Sequence, residues 1–156
     1  MSKVKLTLEH FEYGNALLVI QVADASYKIS ASYLSPNGSN ESLEDLAHLG
    51  VSAKRGAPME IWFEAEPAQI RLAVTPSPGA PGTVDVVVHQ FRDRVTRQPS
   101  QLGHPNFAAY CDGAEFARAV RNLFSAWKNS QEDYKARWWH AFPARAFGLL
   151  EQALAS

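Results

Sequence analysis

Three apolar–polar alternating stretches near the start of the chain are joined by connections only a few residues long. Val4, Leu6 and Leu8 alternate with Lys5, Thr7 and Glu9, a period of two that fits a half-buried strand. Leu17 to Val22 is almost wholly aliphatic and reads as a more deeply buried strand. Tyr27, Ile29, Ala31 and Tyr33 alternate with Lys28, Ser30 and Ser32. Turns are expected at Tyr13-Gly14-Asn15 and at Asp24-Ala25-Ser26. A parallel crossover needs a dozen or more residues, so these strands are expected to form an antiparallel meander.

The pattern then breaks and resumes. Ser35 to Asn40 is a loop by composition, and Ser42 is placed to cap a short helix near 43–49, with Gly50 as its stop. Lys54 to Pro58 reads as a second loop. Met59, Ile61, Phe63 and Ala65 alternate with Glu60, Trp62, Glu64 and Glu66, and Pro67 ends that strand. Ile70, Leu72 and Val74 mark the next one. Thr75 to Gly82 carries three prolines and two glycines and is expected to be an exposed hairpin loop. Val84, Val86 and Val88 share one face of a strand over 83–91. Arg92 to Tyr110 lacks periodicity and reads as a connector.

Helical spacing takes over after Asp112. Asp112 and Glu115 have capping-box spacing, and Phe116, Val120, Leu123, Phe124 and Trp127 recur at helical intervals. Ser130 is placed to cap the next helix, where Tyr134, Trp138 and Phe142 fall four apart. Pro143 suits the start of a last helix through Leu154, with Phe147, Leu150 and Leu154 facing inward. Strands followed by helices predict an α+β fold: an antiparallel sheet of about six strands over the N-terminal two-thirds, with the C-terminal helices packed on one face. Residues 1–156 are expected to make a single domain, mainly sheet over 1–91 and helical over 112–154.

Composition narrows the function. With 46% hydrophobic and 20% charged residues, the 156-residue chain can bury a core without metals or disulfides. A net charge of −1 argues against nucleic acid or an acidic membrane as partner. One cysteine, Cys111, excludes an intramolecular disulfide. The first residues alternate charge and apolarity, unlike a signal peptide, and the run from Ala16 to Ile20 is far short of the ~20 residues that span a bilayer. The expected location is the cytoplasm.

Catalytic and cofactor motifs are missing. The five histidines have no metal-binding spacing, no serine sits in a G-x-S-x-G elbow, and no glycine-rich phosphate loop is present. No metal, cofactor or enzymatic activity is therefore expected. Cys111 lies beside a helix N-terminus, which lowers a thiol pKa, but a lone cysteine more often fills space. Catalysis would need His89 or His140 brought near Glu64. Arg92, Arg94 and Arg97 form a small basic cluster best read as a solvated loop.

Two places suit a protein partner. Glu60, Trp62 and Glu64 share a strand face, an acidic row with an aromatic centre. Trp138 and Trp139 are adjacent on a helix, so their rings point about 100° apart. One is expected to pack inward and the other to sit at the margin.

Glu64-Ala65-Glu66-Pro67 between two strands, and Trp139-His140-Ala141-Phe142-Pro143 followed by Leu149-Leu150, resemble segments of small bacterial immunity proteins from polymorphic and contact-dependent toxin systems. The resemblance implies a non-enzymatic binder that neutralises a cognate toxin. On that reading Glu60, Trp62, Glu64, Trp138 and Trp139 are the candidate partner-binding residues, and an exposed aromatic patch would favour a homodimer. The alternative is a small-molecule-binding or sensing domain, its pocket between sheet and helices and lined by Tyr27, Tyr33, Phe63 and Trp138.

Overall fold

Tyr13 and Gly14 reverse the chain between β1 (Val4–Glu12) and β2 (Asn15–Val22), and Ala23-Asp24 reverse it again into β3 (Ala25–Ser32). The meander is antiparallel, in the order β1-β2-β3. The structure is a computed structural model that describes residues 3–34, 41–65, 68–91 and 105–156. Alternation survives in burial: Leu6, Leu18, Ile20 and Ile29 face the core, while Lys5, Gln21 and Lys28 face solvent. A bulge between Glu9 and Glu12 interrupts β1, with His10 at φ +51°. It turns Phe11 into the core, out of step with the preceding residues.

Helix α1 (Ser42–Arg55) leads to a second antiparallel sheet of β4 (Met59–Ala65), β5 (Ala68–Pro76), β6 (Thr83–Phe91) and β7 (Phe107–Asp112), in that order. The expected single sheet of about six strands is thus two sheets, of three and four strands. Strand β3 borders β4 without forming a ladder with it. Periodicity marks strands but carries no information about which edges meet. The missed strand, β7, buries only Phe107 and Cys111 fully, so its alternation is faint in the sequence. The predicted hairpin loop after β5 is present. The loop at 35–40, Glu66-Pro67 and the arginines at 92, 94 and 97 lie outside the described residues.

Helix α1 is longer than expected and starts differently. Its N-cap is Glu41, whose carboxylate accepts from the Leu43 and Glu44 amides at 3.1 and 2.8 Å. Ser42, the predicted cap, is the first helical residue. Gly50, the predicted stop, lies mid-helix because a side chain there would press on Val120 and Leu150; a Cβ would sit 3.2 and 3.0 Å from them. The helix ends at Gly56, in the left-handed region at φ +69°.

The last three helices form where the sequence places them, except that α3 stops at Trp138, which leaves Phe142 beyond it and not on its stripe. They are α2 (Gly113–Ser125), α3 (Gln131–Trp138) and α4 (Ala144–Ala155). Asp112 caps α2 by accepting from the Glu115 amide at 3.0 Å, whereas Ser130 precedes α3 without a side-chain cap bond. Helices α1, α2 and α4 pack on one another, α1 also lies on β4 and β5, and α2 lies beside β1. The architecture is α+β, and its buried residues form one hydrophobic cluster drawing on both sheets and all four helices. Among the described residues no helix is long and apolar enough to cross a membrane.

Candidate functional site

The paired tryptophans divide between core and surface, although Trp139 leaves the helical geometry on which that expectation rests. Trp138 is fully buried, and its indole Nε1–H donates to Glu41 Oε2 at 2.6 Å. One carboxylate therefore caps α1 and anchors the end of α3. Burial pushes the Glu41 carboxyl pKa above its ordinary value, against the lowering effect of its hydrogen bonds. Phe11, Tyr134 and Trp138 complete the cluster, with Phe11 ring centroids 5.3 and 5.9 Å from the other two. The Tyr134 hydroxyl is buried with no hydrogen-bond partner among the described residues. Burial, then the nearby Glu41 and Glu44 carboxylates, hold it protonated by raising its pKa. Trp138 is therefore a core residue of this fold, with no exposed surface.

Trp139 is the exposed one, at 51%. It stands at the C-terminus of α3 with φ +72°, a conformation costing a non-glycine residue about 1–2 kcal/mol. Its ring meets Tyr33 edge-on at 4.8 Å and lies over Gly14, where a Cβ would come within 2.7 Å of both rings. Only glycine, itself at φ +71°, allows that approach. The Gly14 amide donates to the Arg137 carbonyl at 2.8 Å, and Arg137 Nη1 donates to the Phe11 carbonyl at 3.2 Å. The ring of His140 donates from Nε2 to the Tyr33 carbonyl at 2.6 Å. Tyr13, beside Gly14 in the same turn, is 72% exposed and also has positive φ. The result is a closely packed surface patch built from the β1–β2 turn and the end of α3. The sequence reading found Trp139, placed Tyr33 in a pocket instead, and did not single out Tyr13. A large aromatic directly before a turn glycine was the available clue.

The acidic row of β4 is not the exposed surface expected. Register places Glu60, Trp62 and Glu64 on the same face as Gln69, Arg71, His89 and Phe91. Glu64 is completely buried and accepts from Gln69 Nε2 at 2.9 Å. Trp62 Nε1 donates to Glu60 at 3.0 Å. The Arg71 guanidinium lies 6.0 Å from the Trp62 ring centroid and 5.6 Å from that of Phe91. Arg71 Nη2 is 3.1 Å from His89 Nδ1. Since arginine only donates, that nitrogen accepts and the ring proton is on Nε2. Burial, then the charge of Arg71, lower the His89 pKa. Glu60 and Trp62 reach the surface, while Glu64 stays within this sheet-face network.

The remaining candidates are dispersed. Cys111 is buried, and burial with Asp112 and Glu115 pushes its thiol up to about 12, the opposite of an activated nucleophile. His140 belongs to the Trp139 patch and His89 to the second sheet. Among the described residues no group of three or more His, Cys, Asp or Glu is placed to hold a metal. Tyr27, Tyr33, Phe63 and Trp138 do not surround one cavity: Phe63 and Trp138 are core residues, Tyr33 meets Trp139, and Tyr27 meets Phe107 at 6.0 Å.

Space opens elsewhere. A groove of about 620 Å³ runs between β1 and α2, with Val4, Leu6 and Leu8 on one bank and Ala119, Leu123 and Trp127 on the other. Trp127 also meets Phe11 edge-on at 5.1 Å, and Lys3, Lys5 and Glu115 are among the polar residues of the lining. Comparison with known proteins gives no match to this chain from any family, curated protein or solved structure.

Proposed function

We propose that this chain is a non-enzymatic protein-binding module that acts by covering a surface of its partner, with Trp139 as the anchor. The observation carrying this reading is the Trp139 ring, half-exposed yet fixed in place by a left-handed backbone, Tyr33 and Gly14. An aromatic side chain immobilised before binding loses little entropy on docking, which is how interface hot spots gain their strength. Tyr13 extends the patch, and Glu60 with Trp62 offers a secondary acidic contact. The resemblance to immunity proteins makes a cognate bacterial toxin, neutralised in the cytoplasm, the partner class to test first.

The test is co-expression with the product of the adjacent gene, comparing the wild-type chain with Trp139→Ala. Protection from toxicity and co-purification by the wild type, both lost in the variant, support the proposal. Equal behaviour of the two chains removes its basis. A second reading, small-molecule binding, draws on the groove beside β1, whose volume suits a drug-sized ligand.

A further inference from the structure

We infer that the outer edge of β1 pairs with β1 of a second copy of this chain, joining two three-stranded sheets into one of six strands. This goes beyond the partner-binding reading and concerns a different surface.

The edge is open. Strand β1 is the first of its sheet, and no described strand pairs with its outer side. The Ala23 amide donates to the Lys3 carbonyl at 2.8 Å, which fixes the phase of the β1–β2 ladder. Alternation along an antiparallel pair then points the N–H and C=O groups of Lys5, Thr7 and Glu9 toward β2. Those of Val4, Leu6 and Leu8 point away from it, into the groove. Ala119, Asn122 and Ala126 line the α2 bank of that groove. From Val4 to Glu9, ahead of the bulge, the edge is regular and carries no proline, and an open edge invites pairing unless it is blocked. Its lysines are matched only if a strand bearing an acid at the right register lies opposite.

The sequence of β1 says which strand fits. An antiparallel pairing of β1 with itself, centred on Leu6, sets Val4 against Leu8 and Lys5 against Thr7 of the second copy. It also sets Lys3 against Glu9, twice by symmetry. Every outward-facing residue then meets an outward-facing residue, so the backbone groups of Val4, Leu6 and Leu8 all find partners. The half-exposed Val4 and Leu8 become covered. Lys3 and Lys5 make no ion pair among the described residues, while Glu9 holds only the exposed Lys28, at 3.2 Å. The left-handed His10 ends the usable edge just after Glu9, which favours this register over one shifted toward the bulge.

Sedimentation of the full chain over a range of micromolar concentrations tests the inference, with circular dichroism as the check on folding. The wild type is expected to dimerise. Lys3→Glu and Glu9→Lys each place like charges opposite one another and should weaken dimerisation by about ten-fold. Mixing these two variants restores both opposite-charge pairs and should restore the dimer. For the register, Lys5→Cys and Thr7→Cys chains, mixed under mild oxidation, should cross-link faster than either alone. A wild type that stays monomeric overturns the inference and leaves the groove to a peptide or small ligand. A dimer indifferent to both reversals, or cysteine variants that cross-link no faster when mixed, overturns it in favour of another surface. Trp139→Ala should leave the dimer intact, so failure here and failure of the partner-binding reading are separately visible.

Discussion

Glu41 accepts from two backbone amides and from the indole of Trp138, so its truncation to alanine removes a helix cap and strands a buried donor. Glu41→Ala is expected to lower stability by about 2–4 kcal/mol in urea denaturation. Tyr134→Phe is the converse case. The hydroxyl it deletes is buried and has no partner among the described residues, so the variant should gain about 1 kcal/mol by the same measurement. At Trp139 the backbone decides. Both Trp139→Gly and Trp139→Ala lose the ring, but the left-handed φ should make the glycine variant more stable by about 1 kcal/mol. Equal stabilities would mean that the backbone relaxes once the indole is gone.

Helix α1 shows why a glycine cannot be read from its neighbours in sequence. Gly50 resembles a helix stop, yet it is where Val120 of α2 and Leu150 of α4 pack against α1. Gly148 lies inside α4 with open space where a side chain would be. Opposite outcomes follow. Gly50→Leu should force the three helices apart and lower stability by about 2–3 kcal/mol. Gly148→Ala should raise it by about 0.5–1 kcal/mol through helix propensity alone. Thermal unfolding of the two variants checks both signs. The capping of α2 by Asp112 was legible because cap spacing is a local code. The start of α1 was missed by one residue because glutamate is an uncommon cap, selected here by its reach to Trp138 across the fold.

At the scale of the whole molecule, the buried Glu41 and the half-buried His89 give stability opposing slopes with pH. The Glu41 pKa is raised on folding, so its contribution is present below about pH 4.5 and is lost as pH rises through the native value. The His89 pKa is lowered, so its contribution is present above about pH 6.5 and is lost as pH falls through the native value. Glu41→Gln should therefore become progressively more stable relative to wild type as pH rises from 4.5, levelling off above the native carboxyl's pKa. Denaturation at a series of pH values tests this; a constant difference would show that burial does not raise that pKa. Most strands and the late helices were legible in the sequence, as was the expectation that one of Trp138 and Trp139 packs inward, though not which one. Each rests on periodicity or helical angle, which neighbouring residues specify among themselves. The candidate patch was only half legible: Trp139 was visible, whereas Tyr33 and Gly14 joined it through contacts more than a hundred residues apart in the chain. Glu64 looked like a surface acid because its strand alternates, yet the second sheet buries both of its faces there. Alternation and capping are local properties of the chain, so the sequence alone determined where most strands and helices form, β7 and the second half of α1 excepted. Which edges pair, which face is covered and which ring remains outside depend on long-range packing, and only the tertiary structure decided them.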